Sequence, residues 1–373
     1  MKFKHKTFVQ ELLLKADVQI DGTRPWDIQV VDDAFYQRVI AQGTLALGES
    51  YVDGWWDCEA LDEFFYRALR ADLRSHLKVN ARSIIHLMTA RIANLQSRSR
   101  AFTVGKVHYD IGNDLYQNML DSRMIYSCGY WENADNLDDA QEAKLELVCQ
   151  KLALKPGLKI LDIGCGWGGF AAYAAEKYHV DVVGVTISEA QYSLAQKRCE
   201  GLPVEIKLQD YRDLTGTFDR VVSIGMFEHV GFKNYRTFMQ VVSKCMDEDG
   251  ICLLHTISDN NSRYVGDPWT IKYIFPNSKT PSLAQLSKAL EGLFMIEDVH
   301  NIGPHYIPTC LAWYQNFQNA WPKLKTNYDE RFFRMWRYYL LAAAGNFRAR
   351  NSQVLQVVMT KIGRSQPNTR SSL

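Results

Sequence analysis

The middle of the chain alternates short apolar runs with amphipathic or alanine-rich stretches. Residues 160–163 (Ile-Leu-Asp-Ile) read as a strand that passes through glycines into a helix over 170–176. Residues 180–188 repeat the strand pattern before a helix over 189–199, and further strands are predicted at 204–210, 220–226 and 250–257. Buried strands separated by helices predict a mostly parallel α/β sheet, doubly wound in the Rossmann-like manner. Upstream, helical periodicity marks 8–16, 33–42, 61–77 and 82–95, the last with Ile85, Met88, Ile92 and Leu95 on one side. A helix over 137–152 leads into the turn Lys155-Pro156-Gly157. Downstream come a strand at 294–299, helices at 309–321 and 329–344, and a closing strand at 353–360. The stretch 267–276 has helix-breaking prolines at Pro268 and Pro276, and the last dozen residues are expected to be disordered. The polar link 96–100 reads as a boundary. It gives a small, mainly helical domain over 1–98 and a larger domain over 99–373.

Composition narrows this picture. With 373 residues, 47% apolar content and a net charge of +1, the chain is an ordinary globular protein with no global case for nucleic acid. Its eight cysteines form no CxxC pair, which fits reduced thiols better than a disulfide framework or a metal site. No apolar run approaches the roughly 20 residues that span a bilayer. A cytoplasmic location is expected, with peripheral association at the inner face of the membrane. One local asymmetry stands out. Arg67, Arg70, Arg74, Lys78, Arg82, Arg91, Arg98, Arg100 and Lys106 face a single acid, Asp72. Such a run suits phospholipid headgroups, although a solvated helix face reads equally well.

The glycine turn carries the candidate chemistry. Gly164, Gly166 and Gly169 satisfy a dinucleotide-type spacing, with Gly168 between them. That pattern alone is weak. Asp162 lies two residues before the first glycine, where its carboxylate would repel a pyrophosphate and attract the ammonium and sulfonium of S-adenosylmethionine. A methyltransferase is therefore favoured over a dehydrogenase. Thr186, Ile187, Ser188 and Gln191 stand at the next strand end, where ribose hydroxyls would lie, and Gln209 and Asp210 follow at a third, suited to an adenine edge.

Several motifs together resemble the cyclopropane-fatty-acyl-phospholipid synthases, the bacterial phospholipid branch of the mycolic acid cyclopropane synthase family. They include Gly105-Lys-Val-His-Tyr-Asp-Ile-Gly-Asn-Asp114, Tyr126-Ser-Cys-Gly-Tyr-Trp131, the 161–169 turn and Gly225-Met-Phe-Glu-His-Val-Gly231. Leu254-His-Thr-Ile257, Tyr273-Ile-Phe-Pro-Asn277 and Gly345-Asn-Phe-Arg-Ala-Arg350 continue the likeness, which extends over nearly the whole chain. The resemblance implies a class I S-adenosylmethionine-dependent methyltransferase fold and methylene transfer to a cis double bond of an unsaturated phospholipid in a membrane surface. It implies a carbocation deprotonated by bound bicarbonate, held by Cys128, Glu228, His255, Ile257 and Tyr306. Tyr126, Ser127, the Gly164–Gly169 loop and the polar strand ends would hold the cofactor, and the protein is expected to be a homodimer.

Taken singly, these residues say less. Cys128 reads as a small core residue, His255 as a satisfied interior histidine and Tyr306 as loop packing. Two other functions stay open: transfer of an intact methyl group, and a lipid-surface binding module with a vestigial cofactor fold. There is also a departure. Many bacterial members carry a cysteine where this chain has Ala343, so a thiol there is not required if this protein is active.

Overall fold

The computed structural model describes residues 2–76, 112–262 and 266–368. The expected helix 82–95, the link 96–100 and most of the basic run lie outside these residues. By internal contacts the chain divides into two compact units. One comprises Met1–Ala93, Tyr264–Pro276 and Tyr306–Ser352, and the other holds the remainder.

The division differs from the contiguous one expected at residue 98. In the first unit, helices Lys2–Leu14, Ala34–Gln42, Thr44–Val52 and Leu61–Arg70 and a two-stranded antiparallel ribbon, β1 (Gln29–Val30) with β2 (Trp56–Asp57), pack with three later helices. Those are Pro268–Tyr273, Tyr306–Leu324 and Glu330–Arg348. Close contacts between distant segments hold them together. A Cβ at Gly345 would come within 2.6 Å of the Asp62 carbonyl oxygen, so only glycine allows that close approach of helix Glu330–Arg348 to helix Leu61–Arg70. Arg334 and Arg337 from the same late helix reach Asp57, at 2.9 and 3.3 Å. Pro268 does not break a helix as expected; it occupies the first helical turn behind the N-cap Asp267, where its missing N–H costs nothing. The helix expected over 61–77 ends at Arg70, because Asp72 takes a left-handed conformation (φ +48°).

The second unit is built on a seven-stranded sheet. Its strands are β3 (Lys159–Ile163), β4 (Asp181–Thr186), β5 (Val204–Leu208), β6 (Phe218–Ile224), β7 (Met246–Asp259), β8 (Phe294–Asn301) and β9 (Ser352–Lys361). Their order is β5-β4-β3-β6-β7-β9-β8, parallel from β5 to β7 and antiparallel between β8 and β9. The α/β expectation holds. From β3 the chain winds outward to β4 and β5, then returns to place β6 on the other side, so a crevice opens at the carboxyl end of β3. The alanines of helix Gly169–Tyr178 let it lie close to the sheet, with every residue from Gly169 to Ala175 buried. Helices Tyr235–Cys245 and Leu283–Leu290 were not among the expected elements, yet both carry readable signals. The first buries Tyr235, Phe238, Met239, Val242 and Cys245, and the second opens on a Ser282/Gln285 capping box. Part of the terminal dozen lies outside the described residues. Arg364, within it, donates to the Gly250 carbonyl at 3.0 Å.

Candidate active site

Three glycines bend the chain out of β3. Gly164, Gly166 and Gly168 all have positive φ (+86°, +55° and +79°), and the first passes so close to Met226 that a Cβ would meet its side chain at 2.5 Å. A Cβ at Gly166 would meet nothing within 4 Å, because that residue borders open space. The space is a cleft lined by Tyr126, Ser127, Asp162, Gly164, Gly166, Thr186, Ile187, Ser188, Gln191, Gln209 and Asp210. These are the residues expected around a cofactor, apart from Gly168, which serves as N-cap of helix Gly169–Tyr178.

Local hydrogen bonding holds the rim. Thr186 Oγ1 donates to Gln191 Oε1 at 2.9 Å and accepts from the Ser188 N–H at 3.2 Å. Gln209 donates to the Asp213 carbonyl at 2.7 Å. The Asp210 carboxylate is committed to Arg212, its Oδ2 lying 2.6 Å from the guanidinium. It therefore enters the cleft as half of an ion pair.

Asp162 is different. It is buried, its Oδ2 has no hydrogen-bond partner among the described residues, and burial pushes its pKa up to about 7. An orphaned carboxylate oxygen lining a glycine cradle fits a cationic group. That observation supports a cofactor with an ammonium and a sulfonium over a pyrophosphate. Nearby, Lys144 is fully buried, lines the same cleft and donates to Ser127 Oγ at 2.8 Å, with burial lowering its pKa to about 8. Gln141, also buried, donates to the Ser127 carbonyl at 2.8 Å. Sequence reasoning missed both. The available signal was their place on the apolar stripe of helix Leu137–Lys151, beside Leu137, Leu145 and Val148.

The residues assigned to the small anion do not line this cleft. Glu228 follows β6, and its Oε1 accepts the Ile257 backbone N–H at 2.6 Å. Its Oε2 has no partner among the described residues, and burial raises its pKa to about 7. His255, on β7 opposite Ile224, is buried with a pKa well below the usual value, so it is neutral; its Nδ1 lies 3.4 Å from Gln356 Nε2. The Cys128 thiol donates to the Gly129 carbonyl at 3.2 Å and to that of Ile302 at 3.8 Å. The structure thus joins Glu228 to Ile257 directly. Tyr306 belongs to the first compact unit, where its ring packs on Phe347 and Trp313 at 4.6 and 5.7 Å.

All eight cysteines are buried free thiols. Among the described residues no helix is long and apolar enough to cross a membrane. Arg67, from the basic run, is already paired with Glu63 and Asp17, both at 2.7 Å.

The chain is similar to known proteins. Residues 96–357 match the family described as mycolic acid cyclopropane synthetase. The chain is 54% identical over 351 residues to the cyclopropane-fatty-acyl-phospholipid synthase of Escherichia coli K12, covering 94% of this chain and 92% of that one. It is 38% identical over 267 residues to a probable fatty acid methyltransferase of Pseudomonas putida, covering 68% of each. Among solved structures, mycolic acid cyclopropane synthase CmaA1 complexed with SAH and CTAB superposes with a TM-score of 0.66 at 31% identity, over 70% of this chain and 98% of that one.

Proposed function

Because the chain belongs to the mycolic acid cyclopropane synthetase family and is an S-adenosylmethionine-dependent methyltransferase, we propose that it is a cyclopropane-fatty-acyl-phospholipid synthase acting on unsaturated acyl chains. The observation carrying this reading is the 54% identity to the Escherichia coli enzyme, which extends over 94% of the chain. Bound in the cleft, the cofactor supplies an electrophilic methyl group. Asp162 offers its free carboxylate oxygen to the cationic end, and the Gly164–Gly168 turn leaves room for it.

The olefin is the nucleophile, and a proton must leave as the ring closes. In this reading Glu228, His255, Ile257 and Cys128 hold a bicarbonate ion that takes it. Neutral His255 can donate without placing a full positive charge beside the developing carbocation. Glu228, with a pKa of about 7, carries a proton part of the time, and Oε2 is free to donate it to the anion's oxygen. Docking on anionic phospholipid through the 67–106 basic run, location at the inner face of the membrane, and a homodimer complete the proposal.

The likeness to the Pseudomonas putida protein favours a second reading, transfer of an intact methyl group to a fatty acyl chain. Mass analysis before and after hydrogenation of phospholipids from cells producing this protein separates the two. Both products gain one methylene, but the ring of a synthase product takes up no hydrogen under conditions that saturate an olefin, whereas a methylated olefin takes up one equivalent. Unchanged lipids would contradict both readings.

A further inference from the structure

Lys144 is the least expected group in the cleft. A cavity that takes a cationic cofactor gains nothing from a second cation, and a buried ammonium is costly to keep. Its surroundings explain how it persists. Asp162 on β3 and Asp121 both attract it, and the Cys128 thiol faces it. His255 on β7 also faces it but is neutral. None of the carboxylates is bonded to it. Asp121 spends its oxygens on the Ile125 and Arg123 N–H groups, at 2.8 and 2.9 Å, and Asp162 Oδ2 has no partner among the described residues. An ammonium has three donors. Lys144 directs one to Ser127 Oγ at 2.8 Å, its one hydrogen bond among the described residues.

A buried cation with donors to spare, one step from an unpartnered carboxylate in the same cleft, is complementary to a zwitterion. We propose that Lys144 reads the carboxylate of the cofactor's amino-acid end, acting together with the Ser127 hydroxyl that it orients, while Asp162 faces the ammonium. This rests on S-adenosylmethionine being the cofactor and specifies how this chain recognises its tail. The lysine charge is then neutralised when the tail binds, which accounts for its place in a pocket that otherwise favours cations. Without Lys144 the tail's carboxylate would enter a buried site beside Asp162 with no compensating charge.

The test compares S-adenosylhomocysteine with its carboxamide, in which the tail carboxylate is replaced by a neutral amide, by calorimetry at pH 7. Wild-type protein is expected to prefer the acid by about tenfold or more, as for a hydrogen bond to a charged group. In Lys144→Gln, which can still donate to Ser127 but has no charge, the preference should collapse to about twofold or less. Methylthioadenosine, which lacks the tail, should bind variant and wild type alike and so reports that the cleft is intact. If Gln at 144 is not tolerated, Lys144→Met, which removes the buried charge altogether, carries the same comparison. An undiminished preference in the variants, or no preference in the wild type, overturns the proposal while leaving the cofactor reading in place. Failure of S-adenosylhomocysteine to bind wild-type protein overturns the cofactor reading itself.

Discussion

Two buried carboxylic acids, Asp162 and Glu228, sit at neighbouring strand ends, and burial lifts both to a pKa of about 7. Their surroundings differ in kind. Asp162 lies within the field of the Lys144 ammonium, which opposes the effect of burial. Glu228 has no such cation; backbone N–H donation from Ile257 is the chief opposing influence. The first pocket is built to balance charges, and the second to hold a proton among neutral donors. One is suited to gripping an ionic cofactor, the other to handling a proton beside a carbocation, where extra positive charge would be harmful.

The largest expected effect breaks the second pocket. Glu228→Gln should lower turnover by on the order of a hundredfold or more, with cofactor affinity unchanged. Near-normal turnover would remove Glu228 from the chemistry. Asp162→Asn should do the opposite, weakening S-adenosylmethionine binding by roughly tenfold to a hundredfold, as titration calorimetry would show. If that substitution instead left affinity intact and abolished turnover, the roles assigned to the two pockets would be exchanged.

Stability should report the burial that the two acids share. A carboxyl whose folded pKa is raised is at no disadvantage below its unfolded pKa, near 4.5 for Glu228, and costs stability as pH rises through the folded value, about 7. Replacing it with Gln should therefore stabilise the protein at pH 8 by about 3 kcal/mol and by almost nothing at pH 4. Asp162→Asn should likewise gain at pH 8, because its carboxyl is raised from 3.8 to about 7 even with the Lys144 field opposing burial. Thermal unfolding at the two pH values measures both, and the absence of a gain at pH 8 would mean that burial does not penalise that carboxylate. The smallest effect concerns docking. Reversing Arg82, Arg91 and Arg98 should weaken binding to anionic vesicles several-fold and leave calorimetric cofactor binding alone; unchanged vesicle binding would exclude the basic run.

The parts legible in the sequence are those with a local cause. The glycine turn, Asp162 and the polar ends of β4 and β5 announce themselves through spacing, because backbone conformation and strand ends are set by neighbours in the chain. Helix Tyr235–Cys245 was equally legible from its apolar stripe, and helix Leu283–Leu290 from its capping box; neither was read as an element. Lys144 and Gln141 were hidden for a different reason. On a helix, a lysine is ordinarily a solvated residue, and only packing against Ser127 and β3 turns it inward. The first unit was obscured by distance along the chain. Nothing local ties Gly345 to Asp62, or Arg337 to Asp57, yet those contacts decide which helices share a core.

The most direct test follows the fate of the transferred carbon. Purified protein is given S-adenosylmethionine with a fully deuterated methyl group and vesicles of unsaturated phospholipid, and the product acyl chains are weighed. Methylene transfer predicts a saturated ring that has kept two of the three deuterons, the third having been lost to the base. A product that retains all three would contradict the account.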